Sequence, residues 1–155
     1  MLVEAFVRKI EIREGEVERQ FSFLQRFFSP RSVFLHYGAS DCTLALKAAG
    51  YVERVYAVDV APGVTDGVRL PCNLRLVDSR DLWTVGEGAV DVSFSERLPA
   101  GNLHDLFKCL ARGGVHVFGS CNGFREVVRR AGFARIRTHW LANLLHQPKL
   151  MTAHK

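Results

Sequence analysis

Four short stretches of this 155-residue sequence set polar side chains directly after apolar runs: His36-Tyr-Gly-Ala-Ser-Asp-Cys42, Asp59-Val60, Asp78-Ser79 and Ser95-Glu96. Asp59, Asp78 and Glu96 are carboxylates. An ionised carboxylate only accepts hydrogen bonds, and it can accept from two neighbouring hydroxyls at once. A ribose asks for that chemistry. Asp59 follows the turn at Gly38 by about twenty residues, the spacing of an acid that holds the ribose of a nucleoside-bearing cofactor.

The loop after the first run narrows the choice of cofactor. Gly38-Ala-Ser-Asp-Cys-Thr43 carries one glycine where phosphate-cradling loops have three, and it lacks the P-loop lysine. Ser40 and Cys42 stand where a pyrophosphate needs close backbone approach. A cofactor without phosphates tolerates them better. S-adenosylmethionine, a nucleoside joined to an amino acid through a sulfonium, is of that kind.

These residues need a scaffold that gathers them. Val17, Phe21, Leu24 and Phe28 recur at helical spacing and predict an amphipathic helix over 14–28, ended by Ser29-Pro30. The first dozen residues fit either a short strand or an irregular lead-in. Apolar runs at 32–37, 54–59, 73–78, 89–95 and 115–118 read as buried strands, with 133–139 and 150–154 as candidate last strands. Helices are expected at 41–49, 102–111 and 124–131, the second broken by Arg112-Gly-Gly114. Strands alternating with helices predict a parallel sheet covered on both faces. In such sheets ligands bind beyond the carboxyl ends of the strands, where the strand order reverses. The four polar stretches all fall at those ends.

The length suits one domain, with 1–29 as a helical lead-in to a unit over 30–155. Hydrophobic residues at 48% and charged residues at 24% are ordinary for a globular chain. No apolar run approaches the ~20 residues of a membrane helix, and no secretory signal is expected at the N-terminus. Cys42, Cys72, Cys109 and Cys121 form neither a disulfide framework nor a zinc spacing, and reduced thiols point to the cytoplasm. Residues 1–122 hold 14 Lys/Arg against 15 Asp/Glu, whereas 123–155 hold seven against Glu126 alone. That basic segment is either a solvated face or a surface for an anionic acceptor or partner, if Arg125, Arg129, Arg130, Arg135 and Arg137 converge.

Over roughly residues 30–137 the sequence resembles the class I S-adenosylmethionine-dependent methyltransferases. The matching pieces are Val33-Phe-Leu-His-Tyr-Gly-Ala-Ser-Asp-Cys42, Val55-Tyr-Ala-Val-Asp-Val60, Val77-Asp-Ser-Arg-Asp-Leu82, Val90-Asp-Val-Ser-Phe-Ser95, Leu110-Ala-Arg-Gly-Gly114 and Arg130-Ala-Gly-Phe133. The resemblance implies an α/β, Rossmann-like, seven-stranded and mainly parallel sheet with helices on both faces and the last strand antiparallel. It also implies methyl transfer from S-adenosylmethionine. It lays the loop Gly38, Ala39, Ser40 to Cys42 under the methionine part, Asp59 on the ribose, Val60 beside the adenine, and Asp78 with Ser79 at the adenine amino group. Ser95 and Glu96 would line the methyl-transfer face. The family has an acid where this chain has His36, and glycines where it has Ser40 and Cys42.

His36 is read either as a satisfied structural histidine or as a polar group beside the cofactor. His104 and Glu96 are the candidates for acid–base work. Asp78 has a second reading as a helix N-cap. Cys42 reads as a packing residue, and Trp83 and Trp140 as core or rim aromatics. His139 and His146, with no carboxylate between them, argue against a metal site. The acceptor is expected to be a small or anionic molecule, with a protein partner possible and RNA ranked last for want of stacking aromatics. The rival reading is a catalytically silent methyltransferase-like module that binds or regulates a partner. A nicotinamide oxidoreductase fits less well, since the loop lacks its glycines.

Overall fold

The computed structural model describes residues 2–99, 101–119, 123–140 and 149–155, without the side chains of 2, 3, 5–12, 140 and 149. Cys121 and His146 lie outside the described residues, as does the Trp140 side chain.

The chain runs α1 (Leu2–Leu24), β1 (Val33–Ser40), α2 (Thr43–Ala48), β2 (Arg54–Val60), β3 (Leu74–Val77), β4 (Val90–Ser95), α3 (Leu103–Cys109), β5 (Leu110–Phe118), α4 (Arg125–Arg130), β6 (Ala134–Trp140) and β7 (Lys149–His154). Short 3₁₀ helices occupy Gln25–Phe27 and Ser79–Thr84. Seven strands form one sheet in the order β3-β2-β1-β4-β5-β7-β6. Strands β1 to β5 pair in parallel, and β7 runs antiparallel to both β5 and β6.

Helices cover both faces because each strand alternates its apolar side chains. On one face Phe34, Val92, Phe94 and Val117 meet Val17, Phe21 and Leu24 of α1 and Leu44, Ala45 and Ala48 of α2. On the other, Leu35, Val90 and Phe118 meet Leu82, Leu103 and Leu106, with Val128 of α4. Phe34, Phe94 and Phe118 are fully buried, each contributing roughly 1.5–3 kcal/mol of apolar burial. Lys47 ties α2 to α1 through Glu18, and its Nζ lies 4.9 Å from the Phe21 ring centre.

Two boundaries differ from the sequence reading. The undecided first dozen residues belong to α1, whose Arg13, Val17, Gln20, Phe21 and Leu24 recur on one side of the helix. β5 starts at Leu110, before the glycine pair taken as a break. Leu110 pairs with Val90, and the register then slips so that Val115 pairs with Val92. A Cβ on Gly114 would sit 2.9 Å from the Ala111 carbonyl oxygen. The glycines therefore serve a bulge inside a strand, where only a bare backbone fits.

β1 is flanked by β2 and β4, and the chain leaves these strands to opposite faces. The segment after β1 enters α2 on the α1 face, and the segment after β4 enters α3 on the other. The strand order reverses there, which opens a crevice at the carboxyl ends of β1 and β4.

Candidate functional site

Three ties hold the crevice edge. The loop after β1 is joined to β2 by the Ala61 amide, which donates to the Ser40 carbonyl at 2.8 Å. The end of β2 is joined to the end of β3 by the Ser79 amide, which donates to Asp59 Oδ1 at 2.7 Å. On the far side of β4, Asn102 Nδ2 donates to the Tyr37 hydroxyl at 2.7 Å.

The backbone along this edge is unusual. Ser40 (φ 42°), Cys42 (φ 63°) and Asp59 (φ 56°) all adopt the left-handed region. Such conformations cost energy for residues with a Cβ and cluster at functional sites. Gly38 (φ 70°) shares the conformation, and a Cβ placed there would meet nothing within 4 Å. The loop thus faces open space that a side chain would fill. Ala39 and Cys42 are buried and anchor the loop from below, as expected of Cys42.

Asp59 is exposed at its strand end. Ser79 uses one of about four acceptor sites on its carboxylate, which leaves capacity for two hydroxyls. Asp78 caps the Ser79–Thr84 helix through the Arg80 amide at 2.9 Å. Its two oxygens also accept from Arg80 Nε at 2.9 Å and Nη2 at 2.8 Å. These hydrogen bonds to Arg80 hold its carboxyl down, at about 2. The capping reading of Asp78 is thereby realised. Ser79 and Arg80 also line a cleft of about 390 Å³ with Trp83, Asn102, Asp105 and Lys108. Trp83 is 78% exposed, a surface aromatic rather than a core one.

The remaining candidates separate. His36 is buried on the α1 face between Phe34 and Phe94, with ring centres 6.3 and 5.4 Å away. Neither ring nitrogen has a hydrogen-bond partner among the described residues. Burial, reinforced by the nearby Arg13 charge and opposed by Asp41, drops its pKa to about 3. It is therefore neutral, and it is not the satisfied histidine of the first reading. Ser95 is buried too, and its Oγ lies 2.8 Å from His116 Nε2, while Ser93 Oγ lies 2.5 Å from His116 Nδ1. A neutral imidazole has one donor and one acceptor nitrogen, so this trio satisfies itself. Burial alone lowers the His116 pKa to about 3. Ser95 is thus committed to the core beneath the edge. His104 is exposed on α3. Val60 is half-buried beside Asp59, within packing reach of the α1-face core.

Glu96 belongs to a cluster that the sequence did not announce. Arg13 of α1 donates through Nε to Asp41 Oδ2 at 3.0 Å, and through Nη1 to Glu96 Oε1 at 2.7 Å and Glu16 Oε2 at 3.3 Å. The guanidinium so links the loop after β1 to the loop after β4 across the strand-order reversal. Burial opposes the Arg13 charge, but hydrogen bonds to Asp41 and Glu96 outweigh it and raise the pKa. Burial likewise opposes the Asp41 charge, and the bonds from Arg13 and the Thr43 amide hold its carboxyl low. Gly119 fixes Glu96 from behind. Its amide donates to the Ser95 carbonyl at 2.8 Å, and a Cβ there would come within 3.1 Å of the Glu96 Cα.

Several basic residues of the C-terminal fifth are spent on local partners. Arg129 and Arg130 pair with Glu126 on α4, and Arg125 Nη2 donates to the Ile136 carbonyl at 3.0 Å. Arg137 shares the opposite face with His139, whose ring meets Phe23 of α1 edge-on at 5.1 Å. Among the described residues no group of His, Cys, Asp and Glu could hold a metal ion, and no helix is long and apolar enough to cross a membrane.

No protein-family model matches the sequence, and no curated protein matches it significantly. Solved structures do. The 1,6-didemethyltoxoflavin-N1-methyltransferase of Burkholderia thailandensis, solved with S-adenosylhomocysteine and 1,6-didemethyltoxoflavin, superposes with a TM-score of 0.74 at 18% identity, over 97% of this chain and 83% of that one. The tRNA (m1A58) methyltransferase of Aquifex aeolicus gives 0.67 at 15%, over 89% and 68%. An S-adenosylmethionine-dependent methyltransferase of Archaeoglobus fulgidus gives 0.66 at 12%, over 90% and 94%. This chain has the fold of the class I S-adenosylmethionine-dependent methyltransferases.

Proposed function

We propose that the protein binds S-adenosylmethionine across the carboxyl ends of β1, β2 and β4 and transfers its methyl group to a small-molecule acceptor. The observation that carries this is Asp59, exposed at the end of β2, set in left-handed backbone and braced by Ser79 with acceptor capacity to spare. The residues present suit the cofactor. Asp59 would hold the ribose hydroxyls, Val60 and Ser79 would flank the base, and the open space over Gly38 leaves room for the chain between them.

When bound, the cofactor supplies a methyl group on a cationic sulfur, which makes a good leaving group. The protein's task is then alignment, and holding acceptor and donor in line can contribute several kcal/mol. Tyr37, Asn102 and Glu96 stand on the β4 side of the crevice, where an acceptor would approach. Asp41, Asp59, Asp78 and Glu96 stand along this edge, with Arg13 paired to Asp41 and Glu96 and Arg80 to Asp78. A polyanion would be repelled by such an edge, which favours a small acceptor without net negative charge over RNA.

Equilibrium dialysis with radiolabelled S-adenosylmethionine tests the reading. Saturable binding of one molecule per chain is expected, displaced by S-adenosylhomocysteine and not by NADH. The silent-module alternative predicts a decayed site. In that case His36→Glu with Ser40→Gly would raise affinity at least tenfold. In a working site the buried glutamate would lower affinity or leave it unchanged.

A further inference from the structure

A second cleft lies at the other end of the strands. Arg31, which precedes β1, lines a cavity of about 410 Å³ with Asp91 of β4, Arg112 of β5 and His154 of β7. The eight residues of β1, rising about 3.3 Å each, put roughly 25 Å between this cleft and the cofactor crevice. Its two arginines are fixed at their roots. The Arg31 amide donates to Ser29 Oγ at 3.3 Å, and the Ser32 amide to the Ser29 carbonyl at 3.0 Å. Arg112 stands in the β5 bulge, where Ala111 to Gly114 face Asp91 alone between the Val90–Leu110 and Val92–Val115 pairs. Such a bulge re-aims a side chain out of the ladder.

The tips of both arginines are free. Both residues are exposed, and neither guanidinium has an ion-pair or hydrogen-bond partner among the described residues. Among the residues lining the cavity Asp91 alone carries a side-chain carboxylate, and its Oδ2 already accepts from the Val33 amide at 2.8 Å. Burial, reinforced by the charges of Arg135 and Arg137, pushes the His154 pKa down. Arg135 and Arg137 thus extend the positive field to the same corner.

We infer that this cleft binds the phosphomonoester dianion of a small metabolite, at a site separate from the cofactor crevice, with Arg31 and Arg112 as its two cationic partners. A guanidinium offers a fork of donors that matches phosphate oxygens, and two of them match a double negative charge. The cavity has room beyond the phosphate for the rest of a small molecule. A nucleic-acid strand fits less well, because the one aromatic in the described lining, Phe27, is packed against the core and offers no platform for bases. The inference does not depend on the cofactor reading.

Calorimetry with ribose 5-phosphate at fixed ionic strength tests it. One saturable site in the millimolar range or tighter is expected, which ribose and dimethyl phosphate do not fill at the same concentration. Arg31→Gln and Arg112→Gln should each weaken it about tenfold. Arg75→Gln removes an exposed arginine from β3, at the opposite edge of the sheet, and should leave it within twofold. Unchanged thermal melts show that the three variants fold. No saturable binding, displacement of ribose 5-phosphate by S-adenosylhomocysteine, or an equal loss in all three variants would overturn the inference. So would tight binding of a short single-stranded RNA with none of ribose 5-phosphate, which would mark a polyanion surface instead.

Discussion

Arg13 and Glu96, 83 residues apart in the chain, meet at 2.7 Å across the point where the strand order reverses. The contact joins an N-terminal helix to the loop that follows β4, and through Asp41 to the loop that follows β1.

The energy at stake in that contact is modest. Asp41 and Glu96 are more than a third exposed, so water and salt screen the pairs, and exposed ion pairs contribute about 1 kcal/mol or less. Arg13→Met removes three such pairs and should therefore lower Tm by roughly 6–12 °C at most, with added salt shrinking the difference from wild type. A much larger loss in thermal melts would mean that α1 depends on Arg13 for docking, and that the cluster is chiefly structural.

The two buried histidines set an acid limit. Burial lowers His36 and His116 to about 3, whereas an unfolded imidazole titrates near 6.5. Between those values the unfolded chain binds protons that the folded chain refuses. Their contribution to stability is therefore complete above about pH 6.5 and is lost as pH falls toward 3. Each ring adds roughly 1.4 kcal/mol per pH unit to the slope well below 6.5. Urea unfolding at pH 7.5, 6 and 5 should show the decline, and His36→Leu should flatten it by one ring's share. An unchanged slope in that variant would show that His36 is not held neutral.

At neutral pH the two histidines should respond oppositely. Among the described residues the two buried His36 nitrogens have no partner, and a buried polar atom left unbonded costs on the order of 1–3 kcal/mol. His36→Leu should thus stabilise the protein at pH 7.5. Ser95→Ala strands His116 Nε2 and should destabilise by about 1–3 kcal/mol. Because Ser95 is buried, that variant should leave S-adenosylhomocysteine affinity within twofold once folded. A tenfold loss of affinity would place Ser95 in the cofactor contact that the sequence suggested.

The carboxyl-end acids were legible because each closes an apolar run, and the alternation of runs and helices places such ends on one edge. Asp59 needed nothing more. Arg13 was not legible. It precedes the apolar repeat that starts at Val17, in a stretch without clear periodicity, and only the packing of α1 over β1 and β4 brings it to Asp41 and Glu96. Ser93, Ser95 and His116 were likewise hidden, since their bonds depend on a register in which Ser93 pairs with His116 across β4 and β5. The glycine pair at 113–114 misled because a bulge and a helix break use the same residue. The charge excess left two readings open, a solvated face or a surface for an anionic partner. Arg129 and Arg130 look free in the sequence, yet Glu126 neutralises part of their charge one helical turn away.

Asp59 carries the functional reading, so its removal is the most direct test. Calorimetric titration of S-adenosylhomocysteine should show one site on the wild-type chain, with Asp59→Ala weakening it by about 1–3 kcal/mol, the range for a lost hydrogen bond to a charged group. That corresponds to a rise in Kd of roughly 5- to 150-fold. No heat at millimolar ligand, or the same Kd in both proteins, would contradict the account.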